Sequence, residues 1–529
     1  MHSWISAPFF HYGRVDLVIV SLFLLINSLV FINASLHNPE SAYDVYGHMG
    51  YVKALSTEYR LPTPEQSYEF FSPPLPYLIP AIFHNLTDVL MTNVAKFGQY
   101  VNGVVSVLLT YFFLRLGYVM SPTEPSVRRI SLLLLGMLPV YYKSLAMGIR
   151  GEPYVALFAI LSVYVLVTII YSRSQNLWRF DLLGIFLGLA ILSRQWGFLI
   201  YPAIFGTLFL LFIQSKERAQ LLHGTLLTIL IATAIGGWFY YHLKLEYHEF
   251  TAFNMEQTYP VDYSKYVEQH SDLMAFYNDK VSGKTSLSEW GEKHYVEHGQ
   301  YEDRVLPRAS VFKNHSRDFY LGTGDGQLFT NPVRGQFPYQ FFPTMYTEIW
   351  GDYFAFFQYS LRIIQSGDPE IVAKLIAARA PYLGRVNLVS LIPSLFLFGG
   401  FLYGLSQLFR AISFREADST VLCNGLYAAA IIGTMIGYMW YVLTIIDPKG
   451  IGGSIKGVYI FHTFPFIAIL GGQLFAIIKR YSTSIYRFSI ALLLAVAIHN
   501  TSAMITNVRQ DITLERYWLP DLDIPGVYD

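Results

Sequence analysis

Asp44 and His48 stand four residues apart in the stretch AYDVYGHMGYVKALSTEY, directly after the first apolar run of the chain. If that stretch is helical, the carboxylate and the imidazole lie on one face. A carboxylate so placed suits a general base, which needs hydrogen-bond reach to an acceptor hydroxyl. The plain alternative is an early helix charge near the positive end of the dipole, flanked by Tyr43 and Tyr46 at headgroup level. His48 could orient a phosphate, bind a metal or be merely solvated. Glu69 follows, and then Ser72-Pro73-Pro74-Leu75-Pro76-Tyr77, whose prolines hold a rigid extended turn.

Three cations extend the set. Arg150-Gly151-Glu152-Pro153 opens an apolar run, with Glu152 and Pro153 at a helix start and Arg150 able to snorkel or to serve a site. Arg194 interrupts Leu189-Ala190-Ile191-Leu192 and Trp196-Gly197-Phe198-Leu199. An unpaired charge there costs at least about 3 kcal/mol, and its planar fork suits a phosphate. Lys456, entering Gly457-Val458-Tyr459-Ile460-Phe461, is a second cation for the same anion, or an ordinary snorkelling lysine. Asp44, His48 and Glu69 could hold a divalent metal, though their spacing selects no ion.

These residues need a membrane scaffold. The chain has 529 residues, 53% hydrophobic and 14% charged, with a mean hydropathy of +0.36. A water-soluble domain has about 25% charged residues, so most of this chain is built for another solvent. The balance of 37 basic and 37 acidic residues argues against nucleic acid as a partner. The single cysteine, Cys423, excludes an intrachain disulfide and a cysteine-based metal site. By the ruler of roughly 20 apolar residues per span, the sequence predicts about eleven: Val15–Leu36, Val94–Val119, Ile130–Met147, Pro153–Tyr171, Asp181–Leu192, Trp196–Ile213, Leu221–His242, Val386–Phe409, Thr420–Ile445, Val458–Ile478 and Phe488–Ile505. The first ends without a cleavage site and is expected to be retained.

Placing the N-terminus in the cytoplasm puts Arg115, Arg128, Arg129, Arg173, Lys216, Arg410, Arg415, Lys479 and Arg480 on the cytoplasmic turns. The opposite face then receives the Asp44 loop, Arg150, Arg194, Lys449, Lys456 and a polar, Tyr-rich insertion from Lys244 to Arg385 of about 140 residues, long enough for a small domain. Ionisable groups converging on one face suggest a site. The insertion holds helix-like stretches near Tyr259–Asp279 and Ser286–His298, a glycine-rich turn at Gly322–Gly326, and Trp350-Gly351-Asp352-Tyr353. Asn85-Leu86-Thr87 and Asn314-His315-Ser316 are glycosylation sequons on the same predicted face.

An acid just after the first span, then a histidine, Tyr51, Pro62 and a Pro-Pro-Leu-x-Tyr run, resembles the GT-C class of membrane glycosyltransferases. These are the polyprenyl-phosphate-sugar-dependent enzymes related to the protein O-mannosyltransferases and aminoarabinose transferases. The span count, the large insertion after the seventh span, the Arg-x-Glu turn before the fourth and the basic residues at 194 and 456 are similar to the O-mannosyltransferase layout. The resemblance covers about three-quarters of the chain. It departs at Val45, where many relatives carry a second acid, and at Ser72, where a basic residue is common.

The resemblance implies a helical polytopic GT-C-like fold. Its parts would be a catalytic membrane module over 1–243 with a catalytic loop at 37–93, an extracytoplasmic loop domain over 244–385, and C-terminal spans with an external tail over 386–529. It implies Asp44 as the base of an inverting transfer, with Arg194 and Lys456 on the carrier phosphate and His48, Glu69, Arg150 and Glu152 in support. The donor would be a polyprenyl-phosphate-linked sugar, and the acceptor a lipid, glycan or protein. The setting would be the plasma membrane or, alternatively, the endoplasmic reticulum, with the site extracytoplasmic. Two other classes fit parts of the pattern. A secondary transporter would use the Arg194 break at the midplane, and a scaffold or lipid-binding subunit would use the insertion for docking.

Overall fold

The computed structural model describes residues 7–11, 14–172, 176–251, 263–302, 304, 313, 315–334, 340–358, 369–413, 418–446 and 455–509. Arg173, Asn314, Arg415, Lys449 and the tail beyond Arg509 lie outside the described residues.

Among the described residues the chain is almost wholly helical, and nine helices are long and apolar enough to cross a membrane. The protein is a multi-pass membrane protein. Two of the expected spans take a different form. Ile130–Met147 is split into Pro125–Gly136 and Pro139–Ala146, because Pro139 cannot donate its backbone N–H and pushes Leu138 into extended backbone. Asp181–Leu192 is the longer but still short helix Leu177–Ser193, of 17 residues.

The helices run back and forth between two ends. At one end Arg129 grips Asp16 through two nitrogens at 3.0–3.1 Å, and Asp16 caps the helix Leu17–Leu36 by accepting from the Ile19 N–H. Lys479 meets Glu124 at the same end, at 2.9 Å. At the other end lie the Asp44 loop, Arg150, Arg194 and the start of Gly457–Thr463. There the C-terminal segment folds back over the loop. Asn33 exchanges hydrogen bonds of 2.8 Å with Met504 and Thr506, and the His37 ring bonds Thr506 at 2.8 Å and Ser41 at 2.9 Å.

Two of the crossings are discontinuous. Ser193 ends one helix, Arg194 is extended, and Gln195–Ile200 forms a 3-10 turn before Pro202 enters the helix Tyr201–Gln214. Lys456 repeats the pattern ahead of the 3-10 turn Gly457–Thr463 and the helix Phe464–Tyr481 with Pro465 in its first turn. Irregular backbone at such depth persists only where protein or a polar cavity surrounds it.

The insertion has two parts. Short helices Tyr263–Gln269, Ser271–Phe276 and Leu287–Glu297 pack on a small core of Tyr266, Val267 and Leu273. The helix Phe341–Trp350 instead buries Phe341, Met345 and Trp350 in the main core of the bundle.

Candidate functional site

The first-loop helix spans Val45–Glu58, so Asp44 and His48 do share its first turn, with the His48 N–H donating to the Asp44 carbonyl at 3.1 Å. Asp44 is the residue before that helix and sits in left-handed backbone, φ 56°. A non-glycine residue there costs of order 1 kcal/mol and persists only where its surroundings over-determine it. Tyr43 supplies much of that restraint. Its carbonyl accepts from Arg150 Nη1 at 3.1 Å and its hydroxyl donates to Glu348 Oε2 at 2.7 Å. Expected at headgroup level, Tyr43 is in fact buried, at 4% exposure.

All seven residues singled out in the sequence meet here. Lys456 Nζ donates to Asp44 Oδ2 at 3.2 Å. Arg150 forks onto Glu152, Nε to Oε2 at 3.2 Å and Nη2 to Oε1 at 3.4 Å. Arg194 lies between two acids, with Nη1 on Glu69 Oε2 at 2.6 Å and Nε 3.6 Å from Glu152 Oε1. Ser72 donates to Glu69 Oε2 and accepts from the same Arg194 nitrogen. Gly151 permits this approach, because a Cβ on it would land on the Ser193 carbonyl. Three cations and three carboxylates thus alternate in one cluster, which is how charges survive burial.

Their fields set the protonation states. Burial works to raise the Asp44 carboxyl, and Lys456 and Arg150 more than reverse it, holding Asp44 below the usual carboxylate range. Glu69 is likewise lowered, burial being outweighed by Arg194. His48 goes the other way: burial, aided by Arg150 and Arg194, outweighs Glu69 and pushes it down to about 4. At neutral pH its ring is therefore uncharged. Nδ1 is 2.7 Å from the Tyr77 hydroxyl, and Tyr77 stacks on Tyr51 with centroids 4.0 Å apart. Nε2 is buried without a partner among the described residues. Asp44, His48 and Glu69 each present a ligand atom, and these atoms lie within 4.8 Å of one another. An uncharged imidazole with a free ring nitrogen beside two ionised carboxylates is a donor set that fits a divalent cation.

Aromatic rings close the wall around Lys456. Its Nζ stands 4.5 Å from the Tyr43 ring centroid and 5.5 Å from that of Tyr459, and Tyr459 lies against Trp196 at 4.7 Å. Sequence reasoning passed over Tyr43, Tyr77 and Tyr459 as sites because 40 tyrosines leave no single one conspicuous. It also missed Lys143 and Glu348, and it noted Asp352 only within Trp350-Gly351-Asp352-Tyr353; Lys143 forms an ion pair with each of the two acids beside Tyr43. A signal existed for Lys143, a charge inside a predicted span, as much an exception as Arg194.

No protein-family model matches the chain, and no curated protein does. Among solved structures, the oligosaccharyltransferase of Archaeoglobus fulgidus in the apo form aligns with 95% of this chain and 58% of its own, at 11% identity and a TM-score of 0.48. The archaeal oligosaccharyltransferase AglB from the same organism, in complex with an inhibitory peptide and a dolichol-phosphate, aligns with 92% of this chain and 56% of its own, at 12% identity and a TM-score of 0.43. The chain therefore spans less than two-thirds of the length of either protein.

Proposed function

We propose that this protein is a membrane glycosyltransferase that moves a sugar from a polyprenyl-phosphate carrier to an acceptor hydroxyl on the extracytoplasmic or lumenal face. The observation that carries the reading is the cluster itself. Asp44 and Lys456, 412 positions apart in sequence, are in contact, and Arg150 and Arg194 stand among the same acids. The resemblance of the first-loop motifs to the GT-C class gives the cluster its chemistry.

In this reading the acceptor hydroxyl attacks the anomeric carbon as the bond from that carbon to the phosphate oxygen breaks, with inversion. The hydroxyl proton passes to Asp44. The leaving phosphate gathers charge, and Lys456 and Arg194 offer donors where that charge develops. The Lys456–Asp44 pair adds order to the sequence. While Lys456 rests on Asp44 the carboxylate is a weak base; a donor phosphate that draws Lys456 away makes it a stronger one. Asp44, His48 and Glu69 would hold a divalent cation, which would supply Lewis-acid stabilisation of phosphate oxygens.

The deciding experiment is transfer of radiolabel from polyprenyl-phosphate sugars in membranes, comparing wild type with Asp44→Asn at equal expression. Transfer by wild type with a loss of about 10²–10⁴-fold in the variant is expected for a lost base. Transfer that survives the substitution moves the base to Glu69 or Glu152. No transfer from any donor overturns the glycosyltransferase reading in favour of a transporter.

A further inference from the structure

Behind Tyr43 lies a second buried charge cluster that the transfer reaction does not use. Lys143, on the short helix Pro139–Ala146, places Nζ 3.1 Å from Glu348 Oε2 and 3.8 Å from Asp352 Oδ1. Exposure is 1% at Lys143 and 0% at both acids. Asp352 accepts from the backbone N–H groups of Phe356, Phe357 and Gln358 at 3.3, 2.8 and 2.6 Å, fixing the loop after the helix Phe341–Trp350. Glu348 accepts from the Phe354 N–H through Oε1 at 3.3 Å and from the Tyr43 hydroxyl through Oε2. Taking such charges out of water costs several kcal/mol each even when they are paired, so apolar packing would serve a purely structural purpose as well or better.

What distinguishes Glu348 is its reach to both halves of the ion pair at the site. Through Tyr43 it restrains the residue next to Asp44, whose left-handed backbone needs restraint. On its other side it lies close behind the residue next to Lys456. A Cβ added to Gly457 would lie 3.3–3.4 Å from the Glu348 carbonyl group and 3.4 Å from its Cβ, so the glycine lets the 3-10 turn approach the helix closely. The Tyr43 ring completes the link, with Lys456 Nζ 4.5 Å from its centroid. Phe354 and Phe356, from the loop held by Asp352, pack edge-on against the same ring at 5.7 and 4.6 Å.

We infer that Glu348, held by Lys143 and by the Phe354 N–H, is a positioning residue that sets the Asp44–Lys456 pair, so that the 244–385 insertion builds part of the site. The inference rests on the proposed function for its kinetic consequence and on geometry alone for its electrostatic one. Tyr43→Phe is the cleanest probe, since it deletes only the hydroxyl that joins Glu348 to the Asp44 loop; Glu348→Gln tests the same link from the other side.

Two measurements on the full-length protein decide it. In the transfer assay Tyr43→Phe should lower kcat up to about 100-fold, the scale of an ångström-sized misplacement, with donor KM within about threefold. In an Asp44→Asn background it should cost nothing further, because there is no base left to misplace. Separately, the thiol introduced by Asp44→Cys lies beside Lys456, and its rate of alkylation against pH reports that contact. Lys456→Met should move this profile to higher pH by about one unit, and Tyr43→Phe and Glu348→Gln should move it the same way. The native Cys423 is fully buried and adds little background. An alkylation profile unmoved by Tyr43→Phe and Glu348→Gln overturns the inference whatever the rates do. If wild type transfers no sugar, the proposed function fails, and the thiol titration still decides the positioning.

Discussion

The chain breaks at two cations, and the two breaks are built alike but charged differently. Arg194 and Lys456 both sit in extended backbone, at φ −166° and −116°, immediately before a 3-10 turn that runs into a proline-started helix. Arg194 then faces two carboxylates and the Ser72 hydroxyl, with 3% of its side chain exposed. Among the described residues Lys456 Nζ has one carboxylate and two aromatic faces, at 10% side-chain exposure. An arginine held by two acids in a dry setting is costly to free. A lysine with a single carboxylate partner can exchange that partner for a phosphate at less cost. In the proposed reaction the difference would separate a phosphate-binding cation held fixed by its acids from one that changes partners.

The largest expected effect breaks this contrast if it fails. Arg194→Met leaves Glu69 buried without its cation and Glu152 with Arg150 alone, and the loss should be about 3–5 kcal/mol of stability, read from unfolding in detergent. Lys456→Met strands only Asp44, about a third exposed at 31%, so stability should change by no more than about 1 kcal/mol. Equal destabilisation by the two variants would erase the distinction.

Transfer should rank them differently. Lys456→Met should lower the rate about 10²–10³-fold, the usual consequence of removing one donor to developing charge, while the protein stays folded. The same variant sharpens the electrostatics. Wild-type Asp44 is held below the usual carboxylate range by Lys456 and Arg150. Its ionised form, and the stability tied to it, are present above the ordinary carboxylate pKa and lost only as pH falls through the lower folded value. Residual transfer by Lys456→Met should therefore fall off at higher pH than wild type does, towards about 4. A pH profile identical to wild type would mean that Lys456 does not hold the base.

The two breaks were legible in the sequence to different degrees. A charge inside an apolar run is costly, so Arg194 stood out; Lys456 only enters a predicted span and read equally well as an ordinary snorkelling lysine. The i, i+4 pair was legible because a helical period places Asp44 and His48 together without any tertiary knowledge. Lys143 carried the same kind of signal as Arg194 and was overlooked because the run around it was counted as one span, whereas Pro139 divides it. Asp352 was visible only as part of Trp350-Gly351-Asp352-Tyr353, and Glu348 carried no signal. They lie in a polar insertion where acids are unremarkable, and only long-range packing brings them under Tyr43. No local pattern could have announced that the insertion returns to the first loop, because hydrogen bonds between residues 305 positions apart leave no period in the sequence.

His48 lies between the two breaks, feeling Glu69 on the Arg194 side and Asp44 on the Lys456 side. Its folded pKa near 4 against an ordinary 6.5 means that the unfolded chain binds more protons between those values. Stability should therefore be fully present above pH 6.5 and decline as pH falls towards 4, by up to ~3 kcal/mol from this ring. His37, also lowered to about 4 by burial, adds a decline in the same window. His48→Gln should flatten the thermal-stability curve in part and leave the His37 share. A curve as steep as that of wild type would place the charge change elsewhere.

The smallest effect tests whether the Arg194 site owes its rigidity to charge or to the neutral bridge inside it. Ser72 is fully buried, donates to Glu69 and accepts from Arg194, yet Arg194 and Glu69 also bond directly. Ser72→Ala removes one hydroxyl and leaves both charges paired, so no ion is orphaned. The cost should be that of an ordinary hydrogen bond, about 1 kcal/mol, and transfer should stay within about threefold of wild type. A much larger loss of transfer at unchanged stability would mean that the hydroxyl holds Arg194 at the angle the phosphate needs. The contrast between the two breaks would then narrow, because the Arg194 site would depend on a single neutral bridge much as Lys456 depends on a single carboxylate.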